Sequence, residues 1–284
     1  MNNKDFLNEV HSYIDNTYNE FEKYQIIVQD TLKEFAKVCR NNNIQFWLAF
    51  GNMIGAVRDH SQLPWDYDID VLTPVNDRNK LIEALNRDLD EKYSYAYWTN
   101  TKHYPTICLR VYNKKYTWMA LHVDVFFLIG APSDKTKQEK LIKEVANFRK
   151  LRKIKNLHYQ LPNSNKRKQF LIKIFYNLRY LFISDRKLEK KEKSILYKYP
   201  MDNASFYMPF GGIRYAVFPK DVFGTEMMEV NGNLYPVPSG HKEFLGKIYG
   251  DWQKYLPIKK RFEEFYKMKN IVDERQKFFK ENDK

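Results

Sequence analysis

The chain has 284 residues, 43% of them apolar and 16% aromatic, which excludes a disordered chain and leaves room for a sizeable core. Its two cysteines, Cys39 and Cys108, exclude a disulfide framework and a zinc spacing, and read as reduced core residues of a cytosolic protein. The net charge of +13 is local: residues 149–200 hold 16 Lys or Arg against three acids, a surplus equal to that of the whole chain.

The N-terminal segment MNNKDFLNEVHSYIDN has no apolar h-region, so no secretory signal is expected. Residues 4–41 carry Phe6, Val10, Ile14, Ile27, Val28, Leu32 and Phe35 at three- and four-residue spacing and predict helix, closed by Asn41-Asn42-Asn43. Ile44–Phe50 reads as a buried strand. Gly51 and Gly55 flank a turn or short helix ending near Arg58, and the polar loop Asp59–Gln62 leads to Pro64-Trp65. A strand bearing Asp66, Asp68 and Asp70 then runs to about Leu72, with a helix near 76–90 and short strands at 94–98 and 106–112. A stronger strand, Leu121–Ile129, is followed by a helix to about Leu157.

Residues 164–199 read as two helices broken near Ser184-Asp185. Asn231-Gly232 marks a hairpin within Met227–Pro238, Ser239 caps a helix to Tyr249, and a charged helix at 259–281 follows. The pattern predicts an α+β fold in three segments: a catalytic core at 1–148, a basic helical insertion at 149–200, and a hairpin with helices at 201–284 that completes the catalytic domain.

In a strand, spacing of two puts Asp66, Asp68 and Asp70 on one face, about 6–7 Å apart per step. A single alternating aspartate is most simply solvent-facing. Three together repel one another, and a divalent cation removes the objection. Asp124 interrupts the apolar run LHVDVFFLI, and His122 shares its face. If the two strands are neighbours, Asp68, Asp70 and Asp124 converge as hard oxygen ligands for Mg²⁺ or Mn²⁺, and two such ions can hold both oxygens of an in-line phosphoryl displacement. The turn at Gly51 and Gly55 lets backbone N–H groups approach a phosphate, with Asn52 and Arg58 as added donors. His122 is a candidate to orient a carboxylate or accept a proton, Arg110 is a candidate to neutralise charge on a transferred group but reads more simply as an exposed strand arginine, and His60 carries no specific signal.

The stretch GNMIGAVRDHSQLPWDYDIDV resembles the signature of the LicD family, a glycine turn and an arginine before Pro-Trp-Asp-x-Asp-Ile-Asp. YPVPSGHKEFLGKIYGDWQKYLP is similar to that family's closing motif. Three positions depart from the pattern: Tyr67 replaces an Asp, Asn52 a Ser or Thr, and Val230-Asn231-Gly232 stands for Phe-Glu-Gly. The resemblance implies a nucleotidyltransferase-like mixed sheet flanked by helices. It also implies transfer of phosphocholine or a related phospho-alcohol from a CDP-activated donor to a glycan hydroxyl, as in lipopolysaccharide or teichoic acid. By it Asp68, Asp70 and Asp124 are the metal carboxylates, Asp66 a substrate-side acid, Gly51 and Asn52 lie at the donor phosphates, and Arg58 neutralises charge on the transferred group.

Two alternatives remain open: nucleotide transfer to a small-molecule or protein hydroxyl with pyrophosphate release, and a catalytically dead membrane-bound scaffold. FLIKIFYNLRYLFI, residues 170–183, would span about 21 Å as a helix, too short for a roughly 30 Å hydrocarbon core. Two readings of it stand side by side. It is a helix lying in an anionic membrane surface through 166–193, or a core helix covered by basic neighbours. The first makes the protein cytoplasmic and peripheral on the inner membrane face. Nucleic acid is not an expected partner, because no nucleic-acid motif accompanies the charge.

Overall fold

The structure, a computed structural model, describes residues 2–13, 15–101, 104–155, 184–211 and 216–282. The segment expected to form a membrane-surface or core helix, 170–183, lies outside the described residues, as does all of 164–183. The N-terminal helical periodicity resolves into α1 (Asn3–Tyr13) and α2 (Asp15–Asn41). Phe21, Val28, Leu32, Phe35 and Cys39 form the buried stripe of α2. Asn43 takes a left-handed conformation (φ 48°), which ends the helix.

Seven strands form one mixed sheet among the described residues. The strand expected over Ile44–Phe50 shrinks to β1 (Trp47–Leu48), because Phe50 already turns into the next helix. β1 pairs antiparallel with β2 (Ile69–Pro74), and β2 runs parallel to β5 (Val123–Ala131) with Asp70 opposite Asp124. The outer side of β5 changes partner midway. β4 (Leu109–Asn113), itself edged by β3 (Tyr93–Ala96), pairs with residues 123–125 of β5, and β6 (Phe206–Phe210) pairs with residues 127–131. β7 (Phe218–Pro219) edges β6. With both neighbours paired and both faces covered, every residue of β5 is buried, which explains the apolar run around Asp124.

Helices cover the sheet. α3 (Phe50–Ile54) and α7 (His241–Tyr249) lie on the face that carries Asp70 and Asp124, where the Phe50 ring packs edge-on to Phe126 at 5.5 Å and near Phe244 at 6.0 Å. Each such buried aromatic contributes roughly 2–3 kcal/mol. α4 (Arg78–Asp88) buries Leu81, Ala84 and Leu85. α5 (Lys135–Lys155) and α6 (Asp185–Leu196) pack together, and the Ser184 side chain caps α6 by accepting from Lys187 N–H. The hairpin β8 (Thr225–Val230) and β9 (Asn233–Pro238) turns on Asn231 and Gly232, both at positive φ. α7 follows Gly240, and no side chain caps it, so Ser239 does not serve as its cap. α8 (Ile258–Asn282) returns across α1 and α2, with Phe262 against Phe6 at 5.1 Å and Phe265 against Phe21 at 5.0 Å. No helix among the described residues is long and apolar enough to cross a membrane.

Candidate active site

β2 begins only at Ile69, whose N–H donates to His122 O, so Asp66 and Asp68 lie in the loop before the strand and not on one strand face with Asp70. Three buried amides hold that loop in place. Gln25 Nε2 donates to Leu63 O (2.9 Å) and Asp66 O (2.8 Å), and Gln62 Nε2 to Asp66 O (3.1 Å) and Asp68 O (3.3 Å). Asn52 Nδ2 donates to Asp68 O (3.3 Å), and its Oδ1 accepts from Asp70 N–H (2.7 Å). Asn52 was expected at a donor phosphate; its carboxamide is instead buried and engaged at both ends with the backbone of the aspartate loop.

The turn that presents Asn52 is strained. Phe50 sits at φ 49°, in the left-handed region that a bulky residue rarely adopts, and its packed ring holds it there. A Cβ on Gly51 would stand 2.9 Å from Asp66 Oδ2, and one on Gly55 would collide with the Ser61 carbonyl. Close approach to backbone therefore requires glycine at 55, whereas at 51 a side chain would displace the Asp66 carboxylate. Gly55–Asp59 continues as a π-helical turn ending at His60, whose carbonyl accepts from Asn231 N–H at the hairpin tip.

At the start of β2 and β5 the charged groups converge. Arg110 Nε donates to Asp124 Oδ1 at 2.7 Å and Nη2 to Oδ2 at 3.3 Å. Arg110 is therefore a largely buried partner of Asp124, not the exposed strand arginine its sequence position suggested; β4 places it directly opposite Asp124. His122 is fully buried, and its Nε2 lies 3.5 Å from Asp124 Oδ1 and 3.7 Å from Asp68 Oδ2. Neither ring nitrogen has a hydrogen-bond partner. Burial lowers the His122 pKa to about 4, with Arg110 adding to the effect, so the imidazole is neutral at pH 7. Burial would raise the Asp124 carboxyl, but Arg110 and His122 outweigh it and hold it well below the usual range. Burial and the Asp124 charge push Asp68 up to about 6, while Asp70 and Asp66 are driven well above 3.8 by burial and by their carboxylate neighbours. The Asp68 side chain is 27% exposed and opens the cluster to solvent.

Residues 43–156 match the family described as LicD/FKTN/FKRP, nucleotidyltransferase domain. These residues resemble a LicD-family domain. It is similar to the lipopolysaccharide cholinephosphotransferase LicD of Haemophilus influenzae, with 23% identity over 247 residues, covering 82% of this chain and 91% of that protein. Mannosyltransferase regulators 4 and 14 of Saccharomyces cerevisiae match over 76 residues at 28% identity and 74 residues at 26%. Those matches cover 27% and 26% of this chain and only 6% and 8% of the yeast proteins.

Within the matched region, Asp68, His122 and Asp124 each offer a ligand atom within 4.8 Å of the others, the one group of this kind among the described residues. These residues fit a divalent cation. The imidazole has no hydrogen-bond partner, and ionised Asp68 and Asp124 need more positive charge than Arg110 supplies. Asp70, expected as a direct ligand, stands beside Asp124 in register but outside this compact set, and His122 takes its place there. Arg58 is turned elsewhere. It pairs with Asp59 (2.8 Å), donates to Trp252 O (3.1 Å) and stacks on the Tyr255 ring at 4.1 Å. Asp59 also accepts from Asn3 Nδ2 (2.7 Å) and Tyr255 Oη (2.6 Å), so the pair ties the glycine turn to both ends of the chain.

Sequence reasoning missed two neighbours of this centre. Arg275 of α8 donates to Tyr67 Oη (3.0 Å) and Met119 O (2.8 Å), and Tyr67 stands edge-on to His122 with centroids 6.3 Å apart. Arg275 is one charge among many in a polar helix far from the aspartates in sequence, and nothing local marks it out.

Proposed function

We propose that this chain transfers phosphocholine, or a closely related phospho-alcohol, from a CDP-activated donor to a sugar hydroxyl of a cell-surface glycan such as a lipopolysaccharide or teichoic acid precursor, releasing CMP. The chain is an enzyme of the LicD phosphotransferase type. The observation that carries the finer reading is the convergence of Asp68, His122 and Asp124, with Asp70 alongside, at the ends of two parallel strands. The activity named for the Haemophilus relative supports the phosphocholine and the lipopolysaccharide.

In the reaction the acceptor oxygen attacks the phosphorus that bears the alcohol. A P–O bond forms there, the bond to the bridging oxygen breaks, CMP departs with that oxygen, and the hydroxyl proton passes to the carboxylate cluster. Asp68, His122 and Asp124 would hold the cation, and Asp70 would join them once a cation in place of a proton relieves the crowding. Two carboxylates with one imidazole suit Mn²⁺ better than Mg²⁺, which prefers oxygen alone. Bound there, the ion would lower the hydroxyl pKa and screen charge on the donor diphosphate. Arg110 keeps Asp124 ionised and oriented. Arg58 and Asp59 act at a remove by fixing the Gly51–Gly55 turn, and Asn52 fixes the spacing of Asp68 and Asp70. The positive surplus of residues 149–200 supports a peripheral seat on an anionic membrane, where a lipid-linked acceptor would be met.

The test is CMP release from CDP-choline, CDP-ethanolamine, CDP-glycerol and CDP-ribitol with Mn²⁺ or Mg²⁺, with and without glycan acceptor. Release is expected from at least one donor and lost in Asp68→Asn and Asp124→Asn. No CMP from any donor, or pyrophosphate from CTP instead, refutes this reading.

A further inference from the structure

A groove of about 880 Å³ lies at the other end of the sheet from the carboxylates, between two single-turn helices at Met201–Asn203 and Lys220–Phe223. Trp47, Tyr207 and Phe223, all buried, make its floor, with Phe223 6.0 Å from Trp47 and 5.8 Å from Tyr207 between ring centroids. Its rim is polar and exposed: Asp202 and Asn203 on one turn, Lys220 and Asp221 on the other. Asp202 accepts a hydrogen bond from Asn76 (3.1 Å), whereas Lys220 and Asp221 have no side-chain partner among the described residues.

Strand register places this groove on the carboxylate face. Residues paired across a ladder share a face, as do alternate residues along one strand. Trp47 pairs with Leu72, two residues on from Asp70, and Tyr207 pairs with Gly130, whose side of β5 is that of Asp124. Pro74, also lining the groove, lies four residues from Asp70, about 13 Å along the strand. The rings of Phe50, Phe244 and Phe223 stand between the two places, so they are separate sites and no small ligand occupies both.

The chemistry of the groove argues for a neutral polyhydroxylated ligand. Two aspartates against one lysine give its rim a negative balance in a chain of net charge +13, which disfavours phosphate. Carboxylate and amide groups pair well with neighbouring hydroxyls, and an aromatic floor accepts the C–H face of a sugar ring. We propose that the groove is a remote carbohydrate subsite, holding a sugar of the acceptor chain a few residues away from the hydroxyl that reacts. This rests on the glycan-acceptor reading above and extends it from one hydroxyl to a chain.

Asp202→Ala/Asn203→Ala and Lys220→Ala/Asp221→Ala alter only exposed side chains. The experiment compares transfer from CDP-choline to a methyl monosaccharide and to the delipidated core oligosaccharide of a lipopolysaccharide, with oligosaccharide binding read separately by saturation-transfer NMR. Both double variants are expected to lower kcat/KM for the oligosaccharide roughly fivefold, to narrow the ratio between the two acceptors, and to lose saturation transfer. An equal loss with both acceptors, saturation transfer undiminished in the variants, or none in the wild type overturns the subsite. The NMR arm needs no turnover. A wild type that transfers to neither acceptor therefore defeats the phosphotransfer reading alone, and binding still decides the groove.

Discussion

Asp124 and Asp68 sit in one cluster and titrate in opposite directions, because only Asp124 is hydrogen-bonded to an arginine. Asp68 binds its proton more tightly in the fold, so its stabilising contribution is present below about pH 4 and is lost as pH rises through about 6. His122, lowered to about 4, has the reverse effect: the unfolded chain takes up its proton first, and stability is lost as pH falls from about 6.5 toward 4. In chelator, these two contributions should largely offset each other between pH 4 and 6.5, which leaves Asp66 and Asp70, also raised, to favour the fold on acidification. Asp68→Asn should make acidification less favourable to Tm and His122→Asn more so; parallel curves for the three proteins would contradict the assignment. Arg110→Gln leaves Asp124 buried without its bidentate partner and should cost about 3–5 kcal/mol in urea unfolding at pH 7. At this scale much was legible. Asp68, Asp124 and His122 stood out as polar residues among apolar neighbours, whereas Arg110 looked ordinary because its value depends on which strand lies opposite.

The loop from Leu63 to Asp68 has no ladder of its own and is shaped by side-chain amides from α2, α3 and the loop itself. Asn52→Ala removes the acceptor for Asp70 N–H and should cost about 1–2 kcal/mol. It should also weaken Mn²⁺ binding severalfold by titration calorimetry, and a variant that binds as well as wild type would show that the loop holds its shape without Asn52. The existence of most elements followed from local pattern: α4, β5, the hairpin at Asn231-Gly232 and the last helix fall close to their expected places. What the pattern did not contain was pairing. Nothing within IDVLTP says that it lies parallel to VDVFFLIGA with Asp70 against Asp124, since that choice is made by packing across more than fifty residues. The start of β2 was misplaced for a related reason, as alternation continues through Asp66 and Asp68 while the backbone there bonds to glutamines.

For the molecule as a whole, unrelieved carboxylate crowding is a standing cost that a ligand can remove. Mn²⁺ at about a hundred times its dissociation constant should add about 2.7 kcal/mol to stability. The resulting rise in Tm should be larger at pH 7 than at pH 5, where protons on Asp68 compete with the metal. A rise of equal size at both pH values, or one that persists in Asp68→Asn/Asp124→Asn, would place the ion elsewhere. The centre also depends on distant parts of the chain. Asn3 and Tyr255 hold Asp59, and Arg275 holds Tyr67, so its surroundings are assembled from both termini although its signature occupies one short stretch.

The change of partner along β5 bears on how the protein is made. Residues 123–125 find β2 and β4 already synthesised, but residues 127–131 must wait for β6, which begins at Phe206. Roughly 80 residues separate them, about 4–16 s of translation at usual rates. For that interval half of a strand that is buried throughout in the finished protein has an open edge. Variants that delay or remove β6 should therefore aggregate during synthesis more than variants altered in β4.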